Sequence, residues 1–208
     1  MLTPKKFCFN WLTFSMLLAS LSQLLQGNDT ALLEVIEDTA VLVKDINNLE
    51  HRPFKIQRAK GTVLFFVTQD CPISNAYSPE LARLNKEYGS EKFDLILVYV
   101  DPDVSISEIH THVKEYGLSA FTAVWDKTHD LVRATGATVT PEAVVVLPDS
   151  TIAYRGRIDN MYPALGQRRR VITEKDLRNA LNSIIKNKAV QTTRTHPIGC
   201  FIPNLPFD

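Results

Sequence analysis

Apolar positions change their period several times along this chain, and each change marks an element. Val63, Leu64, Phe65, Phe66 and Val67 form a continuous apolar run of strand length that stops at Thr68, Gln69 and Asp70, and Cys71 follows. A strand that is apolar at every position fits a sheet covered on both faces. From Cys71 to Tyr88, apolar or small side chains recur at Ala76, Leu81, Leu84 and Tyr88, the spacing of one helix face. Pro79 falls inside that helix and predicts a kink, because proline lacks the N–H of a helical hydrogen bond. A buried strand therefore delivers a cysteine to the start of a helix.

The same reading extends in both directions. Upstream, Thr39 to Ile46 partly alternates and Asn47-Asn48 is turn-like, so a hairpin closing with Arg52 to Ile56 is expected, with Lys60-Gly61 as the boundary before the apolar strand. Downstream, Phe93 to Val100 (FDLILVYV) reads as a second central strand and Ser105 to Tyr116 as a helix stopped by Gly117. Phe121 to Trp125 predicts a short strand, and Thr128 to Thr135 a short helix closed by Gly136. Thr140-Pro141 leads into the apolar strand Ala143 to Leu147, and the turn Pro148-Asp149-Ser150 returns the chain as Thr151 to Arg155, an antiparallel pair. Thr173, with Asp176 three residues on, predicts the cap of a last helix carrying Leu177, Ala180, Leu181, Ile184 and Ile185.

The two ends differ from this middle. Lys5 and Lys6 precede an apolar stretch from Phe7 to Leu25, so residues 1–27 are expected to be an export signal, or an uncleaved anchor that would be the only link to a membrane. Residues 28–60 form an N-terminal extension with the hairpin, 61–186 the single α/β domain, and 187–208 a tail. That tail is rich in Thr, Pro and Asn yet carries Ile198, Cys200, Phe201, Ile202 and Phe207, too apolar for a solvated segment, so part of it is expected to dock on the domain.

Composition narrows the function. Lys plus Arg and Asp plus Glu are both 23, a formal charge of zero that argues against nucleic-acid binding. The longest basic run, Arg168-Arg169-Arg170, reads as a solvated loop. Of 3 cysteines, Cys8 lies in the export segment, which leaves Cys71 and Cys200 for the mature chain. In an oxidising compartment two cysteines can form a structural bridge. A helix N-terminus also favours a thiolate, whereas the neighbouring Asp70 carboxylate opposes one. Ser74, one turn on, could donate its hydroxyl to the sulfur. His110 and His112 are two apart and on different helix faces, and His129 and His196 are isolated, so no metal site and no cofactor are expected. Arg155 and Arg157 end a strand and are expected in solvent, or else near an anionic group beside the sulfur.

Three features together resemble the thioredoxin-like superfamily, and within it the redoxin group of alkyl hydroperoxide reductase and thiol-specific antioxidant proteins and exported thiol-disulfide oxidoreductases. Cys71-Pro72-Ile73-Ser74 stands where the family has CxxC, Pro79 matches the proline of the active-site helix, and Thr140-Pro141 resembles the family's cis-proline. The resemblance covers roughly residues 61 to 186 and implies a thioredoxin-like fold, a central mixed sheet flanked by helices. It casts Cys71 as the nucleophile, and Thr140, Pro141 and Pro72 as the substrate groove. Ser74 in place of the second cysteine removes the local disulfide, and with it a copper-chaperone site. Thr68 matches the hydroxyl residue that precedes a peroxidatic cysteine and would orient the sulfur, whereas Leu64 stands where that pattern has proline. Exported CPIS-type redoxins with a C-terminal Gly-Cys look closest, which would make Cys200 the partner thiol; a bridge over so long a loop would restrict the unfolded chain by roughly 4–5 kcal/mol.

The expected function is a thiol-based oxidoreductase acting through a single active-site cysteine, Cys71, on protein disulfides or peroxides, its sulfenate or mixed disulfide resolved by Cys200 or by an external thiol reductant. The alternative is a non-enzymatic binding module with a structural Cys71–Cys200 bridge.

Overall fold

The computed structural model describes residues 34–37, 39–89 and 92–205. The export or anchor segment expected over residues 1–27 lies outside them. Among the described residues no helix is long and apolar enough to cross a membrane. The chain order is β1 (Val43–Lys44), β2 (Glu50–His51), β3 (Thr62–Val67), α1 (Pro72–Tyr88), β4 (Asp94–Tyr99), α2 (Ile106–Glu115) and β5 (Thr122–Trp125). It continues through α3 (Asp130–Thr135), β6 (Val139–Thr140), β7 (Glu142–Val146), β8 (Ile152–Gly156), α4 (Asp176–Ile185) and β9 (Cys200–Phe201).

Continuous apolar character puts β3 at the centre of a five-stranded sheet ordered β5-β4-β3-β7-β8. β3 and β4 run parallel, as do β4 and β5, while β7 lies antiparallel to β3 and β8 antiparallel to β7, so the sheet is mixed. The pleat sends Val63, Phe65 and Val67 to one face and Leu64 and Phe66 to the other. The first face is covered by Leu81, Leu84 and Tyr88 of α1, Ile109 and Val113 of α2 and Leu177 and Leu181 of α4. The second is covered by Leu131 and Val132 of α3, the N-terminal residues Ile36, Val41 and Phe54, and Ile202 of the tail. Such two-sided cover is what an all-apolar strand requires, and the expected fold class is the one observed.

Several local expectations need correction. The hairpin returns through Glu50–His51, earlier than Arg52 to Ile56. The Asp45 carboxylate sets that turn by accepting the Asn47 and Leu49 N–H groups at 2.8 and 2.9 Å. The helix after Cys71 is as expected, Pro72 to Tyr88 with Pro79 inside it. Thr173 does not cap the last helix, which starts at Asp176. Instead, the Thr173 backbone and hydroxyl bond Asn160, so its polar groups are committed to a loop. Arg155 is neither solvated nor at the sulfur: it is 6% exposed, donates to Thr135 O at 2.5 Å and pairs with Glu34 at 2.9 Å. Arg157 pairs with Asp176 at 2.8 Å and with Glu174.

Two docking points hold the tail. The Arg155 N–H donates to Thr193 O at 2.9 Å and the Thr195 N–H to Arg155 O at 3.1 Å, which lays residues 193–195 along β8. Farther on, β9 pairs antiparallel with β6, Val139 opposite Phe201 and Thr140 opposite Cys200, and Ile202, 1% exposed, anchors it in the core. Gly199 permits this approach. A Cβ there would lie 2.1 Å from Thr140 O and 2.6 Å from Thr140 C, well inside contact distance. Gly199→Ala is therefore expected to destabilise the docked tail by about 1–3 kcal/mol. Faster tryptic cleavage after Arg194 would report it, and cleavage at the wild-type rate would show that the Thr140 peptide can move aside.

Candidate active site at Cys71 and Cys200

The end of β3 places Cys71 at the start of α1. Cys71 is the N-cap of α1 in extended conformation, φ −77° and ψ 111°, and its sulfur accepts the Ser74 N–H at 3.4 Å. A sulfur thus does the work usually done by a capping hydroxyl or carboxylate, on a backbone donor that has no helical partner. Pro72 occupies the first helical position, where a missing N–H costs nothing, and is exposed. On the other side the Cys71 Sγ–H donates to Thr140 O at 3.2 Å. The residue is 1% exposed.

Thr140 is 0% exposed and joins three parts of the site. Its carbonyl meets Cys71, its hydroxyl lies 3.4 Å from the Thr68 hydroxyl, and its backbone pairs with Cys200. The Thr140–Pro141 peptide is cis, and Pro141 is buried. The strand that carries Thr140 is steadied by Glu142, 3% exposed, whose carboxylate accepts the Thr138 and Val139 N–H groups at 2.8 and 3.4 Å. Burial pushes the Glu142 pKa up, against those hydrogen bonds.

Two expected contacts are replaced. Thr68 reaches Thr140 rather than the sulfur, since the last residues of β3 point its hydroxyl across to β6. Ser74 contributes its backbone N–H, while its buried hydroxyl has no hydrogen-bond partner among the described residues. Beside Pro141 the tail packs closely, with Gly199 against the Thr140–Pro141 peptide.

The β6–β9 pairing sets Cys200 opposite Thr140, whose carbonyl accepts from Cys71, and the two cysteines are free thiols in this structure. Their acidities separate as a result. Burial acts to raise the Cys71 pKa, but hydrogen bonds from the Cys200 side chain, the Ser74 and Cys200 backbones and Thr140 outweigh it, and the net direction is down. Cys200 is pushed up to about 12 by burial, by the hydrogen bond it gives to Cys71 and by the charges of Cys71 and Asp70. Asp70 is itself exposed, and its field bears on Cys200. When the pair ionises, Cys71 is the member that gives up its proton first.

A supporting network was not anticipated from the sequence. Asn75 donates its N–H to Cys71 O at 3.0 Å and its side-chain amide to Gln69 O at 2.9 Å. That leaves Asn75 Oδ1 to accept from His112 Nε2 at 2.8 Å, so His112 Nδ1 accepts the Tyr99 hydroxyl at 2.7 Å. Both ring nitrogens are thereby satisfied in the neutral tautomer, in keeping with a pKa lowered by burial. His112 braces the cysteine loop. Among the described residues no group of three or more His, Cys, Asp or Glu side chains could hold a metal ion. The available signal was weak: His112 immediately precedes the buried Val113, but its partner lies on another helix.

A sheet of this order with a cysteine capping the helix after its central strand defines a thioredoxin-like protein. More narrowly, the chain belongs to the AhpC/TSA family, whose model matches residues 36–155. Among solved structures, it is similar to a hypothetical protein of Sinorhizobium meliloti 1021, at 24% identity over 84% of this chain and 95% of the other, with a TM-score of 0.69. An uncharacterized conserved protein from Geobacillus kaustophilus matches at 22% identity over 85% and 95%, with a TM-score of 0.68. MTB dsbF, solved in mixed oxidized and reduced forms, matches at 14% identity over 70% and 96%, with a TM-score of 0.54. No relative is found among curated proteins.

The charge asymmetry of the pair can be read directly. The thiolate ultraviolet absorbance of wild-type protein should titrate first at Cys71, below the ordinary cysteine value of 9.0. In Cys200→Ala that midpoint should rise, since one hydrogen bond to the ionised sulfur is lost. An unmoved midpoint would mean that Cys200 does not stabilise the thiolate.

Proposed function

We propose that this protein is an exported thiol oxidoreductase that uses Cys71 as nucleophile and Cys200 as the thiol that resolves it. The observation that carries the reading is the Cys71 sulfur capping α1 on the Ser74 N–H and meeting the carbonyl of Thr140, the residue that β-pairing sets opposite Cys200; the lowered pKa of Cys71 is in keeping with it. The family match and the MTB dsbF fold are in keeping with thiol chemistry. Export rests on the apolar segment that follows Lys5 and Lys6.

With a disulfide substrate, the Cys71 thiolate attacks one sulfur, forms a mixed disulfide and expels the other substrate sulfur as thiolate. Cys200 then loses its proton and attacks Cys71 Sγ, releasing the second substrate thiolate and leaving a Cys71–Cys200 disulfide. With a peroxide, Cys71 takes one oxygen to become a sulfenic acid while water or an alcohol leaves, and attack by Cys200 expels that oxygen as water. Either route oxidises two thiols to one disulfide, and an external thiol must return both electrons. Thr68 positions Thr140, and Thr140 and Ser74 orient the sulfur. Thr140, Pro141 and Pro72 border the groove that a substrate enters when the tail gives way.

The 1% exposure of Cys71 also suits a binding module whose bridge is merely structural. One measurement separates the two. Stoichiometric peroxide, or an oxidised dithiol, should remove two thiols per chain in wild type and form the Cys71–Cys200 bridge. Cys71→Ser should form none, and Cys200→Ser should stop at a sulfenate or mixed disulfide on Cys71. A bridge that forms once but supports no turnover with excess thiol would favour the module, and absence of any bridge would defeat the enzyme reading.

A further inference from the structure

The fold gives the basic run Arg168-Arg169-Arg170 a definite place. β7 is antiparallel to both β3 and β8, so β8 runs in the direction of β3, and the loop after Gly156 leaves the sheet at the end where Cys71 stands. That loop is ordered by its own bonds. The Asn160 amide donates to the Thr173 hydroxyl at 2.7 Å and the Thr173 N–H to Asn160 Oδ1 at 3.1 Å, which closes the base. The Arg169 N–H donates to Met161 O at 2.8 Å and the Gln167 N–H to Ala164 O at 3.1 Å, which folds the tip back. Tyr77 fastens the loop to α1, its hydroxyl donating to the buried Asp159 carboxylate at 2.8 Å.

What the loop shows to solvent sets it apart from the rest of the chain. Arg168, Arg169 and Arg170 are exposed and make no ion pair among the described residues, whereas Arg83, Arg133, Arg155, Arg157 and Arg178 all do. The nearby acids Glu174 and Asp176 are already held by Arg157. Leu165 and Val171 flank the arginines at 67% and 71% exposure, and Phe201, beside Cys200, is 66% exposed. These are the most exposed large apolar side chains among the described residues, and all belong to the end of the sheet that carries the cysteines. On the opposite flank, the loops after β3 and β4 carry Asp70, Asp101 and Asp103. The reactive end therefore has a basic side beyond β8 and an acidic side beyond β4. Arginine is enriched at protein interfaces and binds carboxylates through paired N–H groups, and an ordered loop loses little entropy on docking.

We infer that loop 160–173 is a docking surface for an acidic protein partner, whose carboxylates pair with Arg168, Arg169 and Arg170 while an apolar side chain covers Leu165 and Val171. That this partner is the one that brings sulfur to Cys71 rests on the oxidoreductase reading above; the docking itself does not. Charge fixes the approach as well as the affinity, because a partner turned round would set its carboxylates against Asp70, Asp101 and Asp103. An anionic bilayer is the poorer match, since lying flat against this end it would meet the same aspartates.

The test follows the fluorescence anisotropy of a labelled, cysteine-free peptide of glutamates, glycines and one leucine, and of its glutamine counterpart, on full-length protein. The glutamate peptide should bind ~10-fold tighter, the sum of a few exposed ion pairs of ordinary strength, and the advantage should shrink as salt is raised. Arg168→Gln, Arg169→Gln and Arg170→Gln together should abolish it. Lys55→Gln, Arg58→Gln and Lys60→Gln together remove as many charges before β3, at the other end of the sheet, and should leave it intact; all six side chains are exposed. Leu165→Ala with Val171→Ala should weaken both peptides. Equal affinity for the two peptides, or loss of the advantage in both charge variants, would overturn the inference. Arginine-dependent binding to phosphatidylglycerol vesicles without binding to the glutamate peptide would overturn it too, and make the loop a lipid contact. The same peptides closed by a cystine test the reading beneath: if neither oxidises Cys71, the oxidoreductase assignment fails while the docking result stands.

Discussion

The site depends on a single peptide group being in the right place. Thr140 is fully buried, yet its carbonyl faces the Cys71 thiol, its hydroxyl faces Thr68, and its backbone carries the tail strand bearing Cys200. A buried backbone polar group has to be satisfied by something, and here the obligation is shared between a reactive sulfur and a strand from the far end of the domain. Glu142 keeps the approach to this residue in shape, at the cost of burying a carboxylate. Moving Thr140 would disturb the acidity of Cys71, the docking of the tail and the end of β3 together.

The same arrangement divides labour between two chemically identical side chains. A helix start and a second thiol lower one sulfur, and the charge so created helps raise the other. This is how a chain that lacks the local second cysteine can still present a graded pair: the missing thiol is supplied by topology, and Ser74 keeps only the backbone half of the usual position.

Much of the frame was legible in the sequence because its signals are local. The apolar run Val63 to Val67, the helix read over Ser105 to Tyr116, the stops at Gly117 and Gly136 and the strand after Pro141 each follow from short patterns. What was not legible depends on residues far apart in the chain. That Thr68 bonds Thr140, that Asn75 meets His112, and that Arg155 is buried against Glu34 all require the folded sheet. The Ser74 contact was misjudged for a subtler reason: an N-cap fixes a backbone donor on the sulfur, and the hydroxyl of the same residue has no claim on it. Thr173 failed as a cap because a loop partner, Asn160, took its polar groups.

Tail closure also has a bearing on the order of folding. Pairing β9 with β6 joins segments widely separated along the chain, the class of contact that forms late because loop closure precedes any gain from it. The strand and helix around Cys71, by contrast, are neighbours in sequence. The Cys71 turn therefore closes over a short loop, whereas the strand that sets Cys200 opposite Thr140 closes over one of the longest in the domain.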